Sequence, residues 1–334
     1  MTTPTRPVLR WHGGKWKLAP WVLAHLPPHK IYVEPFGGAA SILLRKEPVY
    51  AEIYNDLDSE VVNLFKVLRD SQRGGALVDA LRLTPFSREE FNDANGATDE
   101  PVERARRLII RSFMGFGSNA HSSSETAKRT GFRSHTRVKT GLMVTSEAGY
   151  RSTGFRANSS RSGTTPAHDW VNYPKALQTI VERIQGPGVT IENRDACEVM
   201  AQHDSAETLH YVDPPYLPET RSPANKYDLK HRMYRHELTA EDHPRLLKFL
   251  KSLAGMVVLS GYPSATYDDL LCSDAAWRRV ETSTHADGAR PRIEVLWINP
   301  AAAAALDARA GGAGSPLFSQ SCPTAYPNND RHAE

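Results

Sequence analysis

The sequence predicts an α/β fold with a parallel sheet and an inserted region outside the main core. Short aliphatic runs that read as buried strands alternate with stretches of helical periodicity. Some of those strands end in turns of unusual composition, Gly37-Gly38 early in the chain and Pro214-Pro215 late. Between the two lies a long stretch rich in Ser, Thr and Gly, with few aliphatic residues to bury.

The first strand is expected from Lys30 to Val33, where Ile-Tyr-Val precedes Glu34-Pro35 and a glycine turn. Small and aliphatic residues from Ala40 to Leu44 then suggest a helix, and Val49 to Ile53 a second strand. That order favours parallel pairing. Asp58 to Leu68 carries Val61, Val62, Leu64, Phe65, Val67 and Leu68 on one helical face, followed by a Gly74-Gly75 break. Pro85 to Phe91 and Val102 to Phe113 also look helical. Alternation returns with strands at Val189 to Glu192, Thr208 to Val212, Gly255 to Ser260 and Ile293 to Asn299, and a helix from Leu238 to Leu253. The expected organisation is a main unit of residues 1–75 and 168–300, an inserted region 76–167, and a tail, 301–334, too rich in Gly, Pro, Ser and Asn to fold.

With 334 residues and 40% hydrophobic content the chain can bury a sizeable core. No apolar run approaches the roughly 20 residues that span a bilayer, so a soluble, cytoplasmic protein with no membrane partner is expected. The cysteines, Cys197, Cys272 and Cys322, have no CxxC spacing, and His12 has no metal partner at short spacing, so no metal site is expected. A net charge of +3 decides nothing about nucleic acid. Its distribution says more: His121 to Thr165 holds eight basic residues against Glu125 and Glu147. Within it Thr130-Gly131-Phe132-Arg133 is echoed by Thr153-Gly154-Phe155-Arg156, which makes Arg133 and Arg156 candidates for DNA contact.

Three motifs carry chemistry. Glu34 to Ser41 joins a strand end to small residues, a turn that lets a ligand approach the backbone, although such turns also serve as plain connections. Asp56 and Asp58 follow the second strand, where an α/β nucleotide site places a carboxylate on ribose hydroxyls; Asp56 is assigned that role and Asp58 or Ser59 helix capping. Asp213-Pro214-Pro215-Tyr216 sits at a carboxyl end of the sheet. A carboxylate and a proline-fixed carbonyl can accept hydrogen bonds from a weakly nucleophilic aryl amine, the prolines remove competing donors, and Tyr216 offers a face on which an extruded base can stack. Near the start, Arg10 to Lys17 combines aromatics, glycines and cations. Lys15 could pair with the carboxylate of a bound amino-acid moiety, with Trp11 covering it; a flexible basic arm fits the same residues.

The order Trp-x-Gly-Gly-Lys, Glu-Pro-Phe-Gly-Gly-Ala, Asp-Pro-Pro-Tyr resembles the DNA adenine methylase family of bacteria and phages, whose members serve in modification of DNA. The likeness covers most of residues 8 to 299, with Tyr54 to Asp58 similar to the family's acidic second motif. It implies a Rossmann-like methyltransferase sheet, S-adenosylmethionine held by Trp11, Lys15, Phe36, Gly38, Asp56 and Asp195, and an adenine of double-stranded DNA gripped by Asp213, Pro214, Pro215 and Tyr216. It also makes the basic insert the target-recognition region, with Lys17 a phosphate contact. Two features depart from the family: Ala40 stands where the turn usually ends in glycine, which is harmless if the backbone there needs no positive φ, and no Asn-rich segment accompanies Phe113-Met114-Gly115-Phe116-Gly117. Rival readings are an inactive DNA-binding protein, an amino-group methyltransferase for cytosine, RNA or protein, and, last, a nicotinamide-dependent oxidoreductase. Cytosine enzymes more often resemble Ser-Pro-Pro-Tyr and glutamine enzymes Asn-Pro-Pro-Tyr.

Overall fold

The computed structural model describes residues 3–115, 165–217, 220, 235–272, 277–285 and 291–311. Arg133 and Arg156 lie outside them. A seven-stranded sheet forms the centre, in the order β3-β2-β1-β4-β5-β7-β6. Strands β1 (Ile31–Glu34), β2 (Ala51–Asn55), β3 (Val189–Glu192), β4 (Thr208–Val212) and β5 (Met256–Gly261) are parallel. At one edge β7 (Pro291–Ile298) runs antiparallel to β5, and β6 (Arg278–His285) pairs antiparallel with β7.

Chain order reverses between β1 and β4: the strands after β1 step one way, and β4 and β5 step the other. Such a switch point leaves an open crevice at the carboxyl ends of the two strands, which is where open α/β folds bind ligands. The strand sequences account for the layers on either side. Side chains alternate between faces, so Tyr32, Tyr54, Leu209, Tyr211, Val258 and Leu296 join one hydrophobic cluster. Val33, Ile53, Val212, Val257, Leu259 and Trp297 join another. Both faces being covered explains why these strands read as continuous apolar runs.

The first cluster is covered by α2 (Ser59–Arg69), α3 (Ser71–Leu83), α5 (Pro101–Met114) and α6 (Pro166–Gln185), and α4 (Arg88–Asp93) adds Phe91 to it. The second is covered by α7 (Ala196–Gln202), α8 (Asp242–Ser252) and α9 (Ala265–Cys272). Asp58 caps α2 by accepting a hydrogen bond from the Glu60 amide, as its position suggested. Gly74-Gly75, expected to break the chain, sits inside α3, because Asp70 caps a new helix directly and Leu77, Val78 and Leu81 bury its face. Full burial of each such side chain stabilises by about 1.5–3 kcal/mol, more than glycine's helix penalty of about 1 kcal/mol.

Two other expectations change. Residues 41–45 form a single turn rather than a regular helix, with Leu44 N–H donating to Ala40 O at 3.0 Å. After β7, Pro300–Gly311 forms a further helix, α10, against the expectation of an unfolded tail from 301; a proline at its start favours a helix, alanines sustain it, and Ala302, Ala303 and Leu306 are buried.

Ala40 is the one non-glycine residue with positive φ among the described residues, at 51°. The condition under which its replacement of glycine was harmless is therefore not met. A left-handed alanine costs about 1–2 kcal/mol, whereas glycine there would lose a buried methyl worth about 0.8 kcal/mol and add about 0.4–1 kcal/mol of unfolded-state freedom. These terms nearly cancel. Ala40→Gly should change stability by less than about 1 kcal/mol, and Ala40→Val, β-branched in a buried left-handed position, should lose more than about 2 kcal/mol in urea unfolding. A neutral valine variant would contradict the left-handed assignment.

Candidate active site

The crevice at the switch point is a cleft whose walls include Trp11, Lys15, Phe36, Gly38, Asp56 and Asp213. Its first wall is the turn after β1. Gly37 N–H donates to Asn55 O at 2.8 Å, Tyr54 Oη to Gly38 O at 2.7 Å, and Gly38 N–H to the Asp56 carboxylate at 2.8 Å. Glycine is required twice. A Cβ on Gly37 would sit 2.2 Å from a Tyr54 ring carbon, and one on Gly38, at φ +46°, would sit 2.7 Å from Trp11 Nε1. Tyr54 and Trp11 thus clamp the turn from opposite sides.

Asn55 ties three loops together: its Nδ2 donates to Pro35 O at 2.9 Å and Arg194 O at 3.0 Å, and its Oδ1 accepts from the Arg194 amide at 2.9 Å. Asp56 accepts from the Gly38 and Asp58 amides, one on each oxygen. Burial pushes its carboxyl up to about 6, against those hydrogen bonds. One lone pair on each oxygen is left for a ligand. At the mouth of the cleft Arg235 pairs with Asp58 at 3.0 Å.

The amino-terminal residues form a fixed wall. Arg10 N–H donates to Ser112 Oγ at 2.7 Å and Tyr173 Oη donates to Val8 O at 2.6 Å, which sets Trp11 over the glycine turn. The flexible-arm reading does not hold for residues 8–15. Lys15 is 6% exposed and its ammonium lies 3.0 Å from Asp213 Oδ2, 3.0 Å from Gly13 O and 4.6 Å from the centre of the Tyr216 ring. Burial works against its charge, but Asp213 and Glu294 more than offset this, so the ammonium is held above its ordinary range.

Asp213 follows β4, and its second oxygen, Oδ1, is buried and makes no hydrogen bond. Burial raises its carboxyl; Lys15 opposes the rise, and the Tyr216 and Ser260 hydroxyls add a smaller opposing effect without completing a bond to Oδ1. Pro214 and Pro215 line the cleft. Tyr216 does not: its hydroxyl turns inward, donating to Glu294 Oε2 at 3.0 Å and lying 3.2 Å from Ser260 Oγ. Asp195 also stands outside the lining, exposed, with its carboxylate capping α7, while its neighbour Ala196 lines the cleft. Lys17 is exposed.

Sequence reasoning missed Tyr211, Ser260 and Glu294 as members of the site, and it placed Glu34 in the glycine-turn motif without a role of its own. A signal for Glu294 was present, since it is a lone carboxylate within the strand Ile293 to Asn299, a residue type almost never buried unless paired. Glu34 lines the cleft and accepts from Tyr32 Oη at 2.8 Å and the Leu43 amide at 3.0 Å, both on Oε2. Burial pushes its carboxyl from 4.5 up to about 8. Between those values the folded state binds more protons than the unfolded, so Glu34 costs stability as pH rises through that window. Glu34→Gln keeps an oxygen for both donors and has no proton to lose. Its thermal midpoint should fall less steeply than that of the wild type from about pH 5 to about pH 8; parallel curves would show that Glu34 does not carry the shift.

Comparison with known proteins agrees with this geometry. The family model for D12 class N6 adenine-specific DNA methyltransferases matches residues 11–285. A Type II methyltransferase, M1.LlaDCHI, of Lactococcus lactis subsp. cremoris is 25% identical over 85% of this chain and 90% of its own length. Another, M.MjaIII of Methanocaldococcus jannaschii, is 23% identical over 74% of this chain and 80% of its own. The DNA adenine methylase of Escherichia coli K12 is 34% identical over a shorter span, 33% of this chain and 41% of its own. With a family model spanning most of its length and a mostly parallel sheet that opens on an Asp-Pro-Pro-Tyr cleft, the chain belongs to the D12 class of N6 adenine-specific DNA methyltransferases.

Proposed function

We propose that the cleft binds S-adenosylmethionine together with one adenine turned out of a DNA duplex, and that Asp213 and the carbonyl of Pro214 hold the adenine amino group for direct, in-line transfer. The observation that carries this reading is Asp213 itself: Oδ2 is fixed by Lys15 while Oδ1 makes no hydrogen bond, at the end of a strand beside the glycine turn. The residues suit the cofactor. Gly38 leaves room where a Cβ would strike Trp11, and Asp56 keeps acceptor capacity for ribose hydroxyls. Trp11 and Phe36 supply apolar walls, Lys15 a positive charge for the amino-acid carboxylate, and Asp195 joins the set by its place beside Ala196.

When bound, the cofactor supplies an activated methyl on a sulfonium. The chain's part is orientation: acceptors on both amino hydrogens leave the nitrogen lone pair free to face the methyl. As the methyl passes from sulfur to nitrogen, with the S–CH₃ bond breaking to leave a neutral thioether, the amine must lose a proton, and Asp213, its carboxyl raised by burial, is placed to take it. Lys15 keeps that carboxylate from rotating. While Lys15 holds Asp213 it covers one face of the Tyr216 ring, so a base that stacks on Tyr216 meets the other face. An amino group inside a stacked duplex could not reach Asp213, so the base must leave the stack. Lys17 and the basic region within 76–167, with Arg133 and Arg156, are assigned to the phosphates and to target recognition. Among the described residues no helix is long and apolar enough to cross a membrane; action on DNA suits a cytoplasmic location.

The test is transfer of labelled methyl from S-adenosylmethionine to duplex DNA of varied sequence, with nucleoside digestion and sequencing. N6-methyladenine at a recurring site is expected. Asp213→Ala should slow transfer by roughly 100- to 1,000-fold or more while cofactor affinity changes only a few-fold. Full activity in that variant would remove Asp213 from the chemistry, and label found only in cytosine, RNA or protein would overturn the substrate assignment.

A further inference from the structure

We propose that Glu294 is a positioning residue for methyl transfer, acting through the hydroxyl of Tyr216; the inference rests on the reading of Asp213 to Tyr216 given above. Because β7 runs antiparallel to β5, its first half lies at the carboxyl edge of the sheet, where β4 and β5 end. Glu294 is 7% exposed there and accepts from Tyr216 Oη at 3.0 Å. Burying a carboxylate is costly unless the structure uses it. Ser260 Oγ, at 3.2 Å, already offers the hydroxyl a neutral partner, so the need for any partner does not explain the charge.

What the charge secures is the placement of Tyr216. The hydroxyl is drawn inward to Glu294, the ring edge meets Tyr262 at 4.4 Å between centroids, and one face carries the Lys15 ammonium at 4.6 Å. Lys15 in turn holds Asp213 Oδ2 at 3.0 Å. A continuous set of contacts therefore runs from Glu294 through Tyr216 and Lys15 to the carboxylate that receives the amino group. Charge-assisted hydrogen bonds are roughly twice as strong as neutral ones, which makes Glu294 rather than Ser260 the stronger hold on Tyr216. A tilt of this ring would shift Lys15, and a displacement near 1 Å at reacting atoms is enough to cost about 100-fold in rate.

The experiment measures single-turnover methylation on duplex DNA carrying the site that the labelling experiment locates, with cofactor affinity and thermal midpoint determined for each variant. Glu294→Ala should slow the step by roughly 10- to 100-fold, with cofactor affinity within a few-fold of wild type. Glu294→Gln, which keeps an acceptor for Tyr216 but not the charge, should recover only part of that rate. Tyr216→Phe should show a loss similar to that of Glu294→Ala, and combining the two should add little, because both break one contact. A merely structural role would lower stability and cofactor binding together and would give additive losses. The proposal is overturned if Glu294→Ala or Tyr216→Phe keeps the wild-type rate, if Glu294→Gln is no better than alanine, or if the double variant is additive. Should Glu294→Ala fail to fold, the glutamine and phenylalanine variants decide alone: a slow phenylalanine variant with a glutamine variant between it and the wild type supports the proposal, and any other pairing overturns it. Loss of rate in Asp213→Ala alongside a fast Glu294→Ala would refute only the role of Glu294; a fast Asp213→Ala would refute the reading beneath it.

Discussion

The site is organised around one buried ion pair, Lys15 with Asp213. It joins the amino-terminal segment to the end of β4, elements almost 200 residues apart in the chain. Buried pairs add little net stability, because desolvation offsets the attraction, but leaving either charge unpaired is expensive. The pair therefore acts as a constraint on geometry: Trp11 to Lys15 must lie across the switch point, and Asp213 must present one oxygen to the ammonium. The other oxygen is thereby left without a hydrogen bond.

Around that pair the sheet does the remaining placing. The loops after β1, β2 and β3 are held to one another by Asn55, and the glycine turn is held by Tyr54 and Asp56, so the wall opposite Asp213 is stiff before any ligand arrives. Outside the lining, at the antiparallel edge, Glu294 and Ser260 hold Tyr216 turned inward. Four carboxylates, Glu34, Asp56, Asp213 and Glu294, have carboxyls raised by burial, and Lys15 is the buried cation among them.

Much of this was legible in the sequence because it is local. Strands β3 and β4 were read at their observed ends, since each is a short aliphatic run closed by a turn residue. Asp58 was read as a cap from its place before an apolar face, and Asp213 as a site residue from its place after β4. What was not legible depends on contacts distant in sequence. The role of Ala40 turns on a left-handed backbone angle next to the crowded Gly37-Gly38 turn, and composition alone suggested a helix there. Gly74-Gly75 looked like a break because the burial of Leu77, Val78 and Leu81 that overrides it comes from the tertiary fold. Strand β6 was missed because Arg278 to His285 is mostly polar and pairs only at the sheet's edge. Glu294 was visible as an oddity but acquires meaning only when β7 is placed antiparallel beside β5.

The most direct measurement is a crystal structure of the protein with S-adenosylhomocysteine. The ligand is expected in the cleft between Trp11, Gly38 and Asp56, with its sugar hydroxyls on Asp56 and with Lys15 still in contact with Asp213. Ligand bound elsewhere, or Asp213 turned away from Lys15 and out of the cleft, would contradict the central role given to that pair.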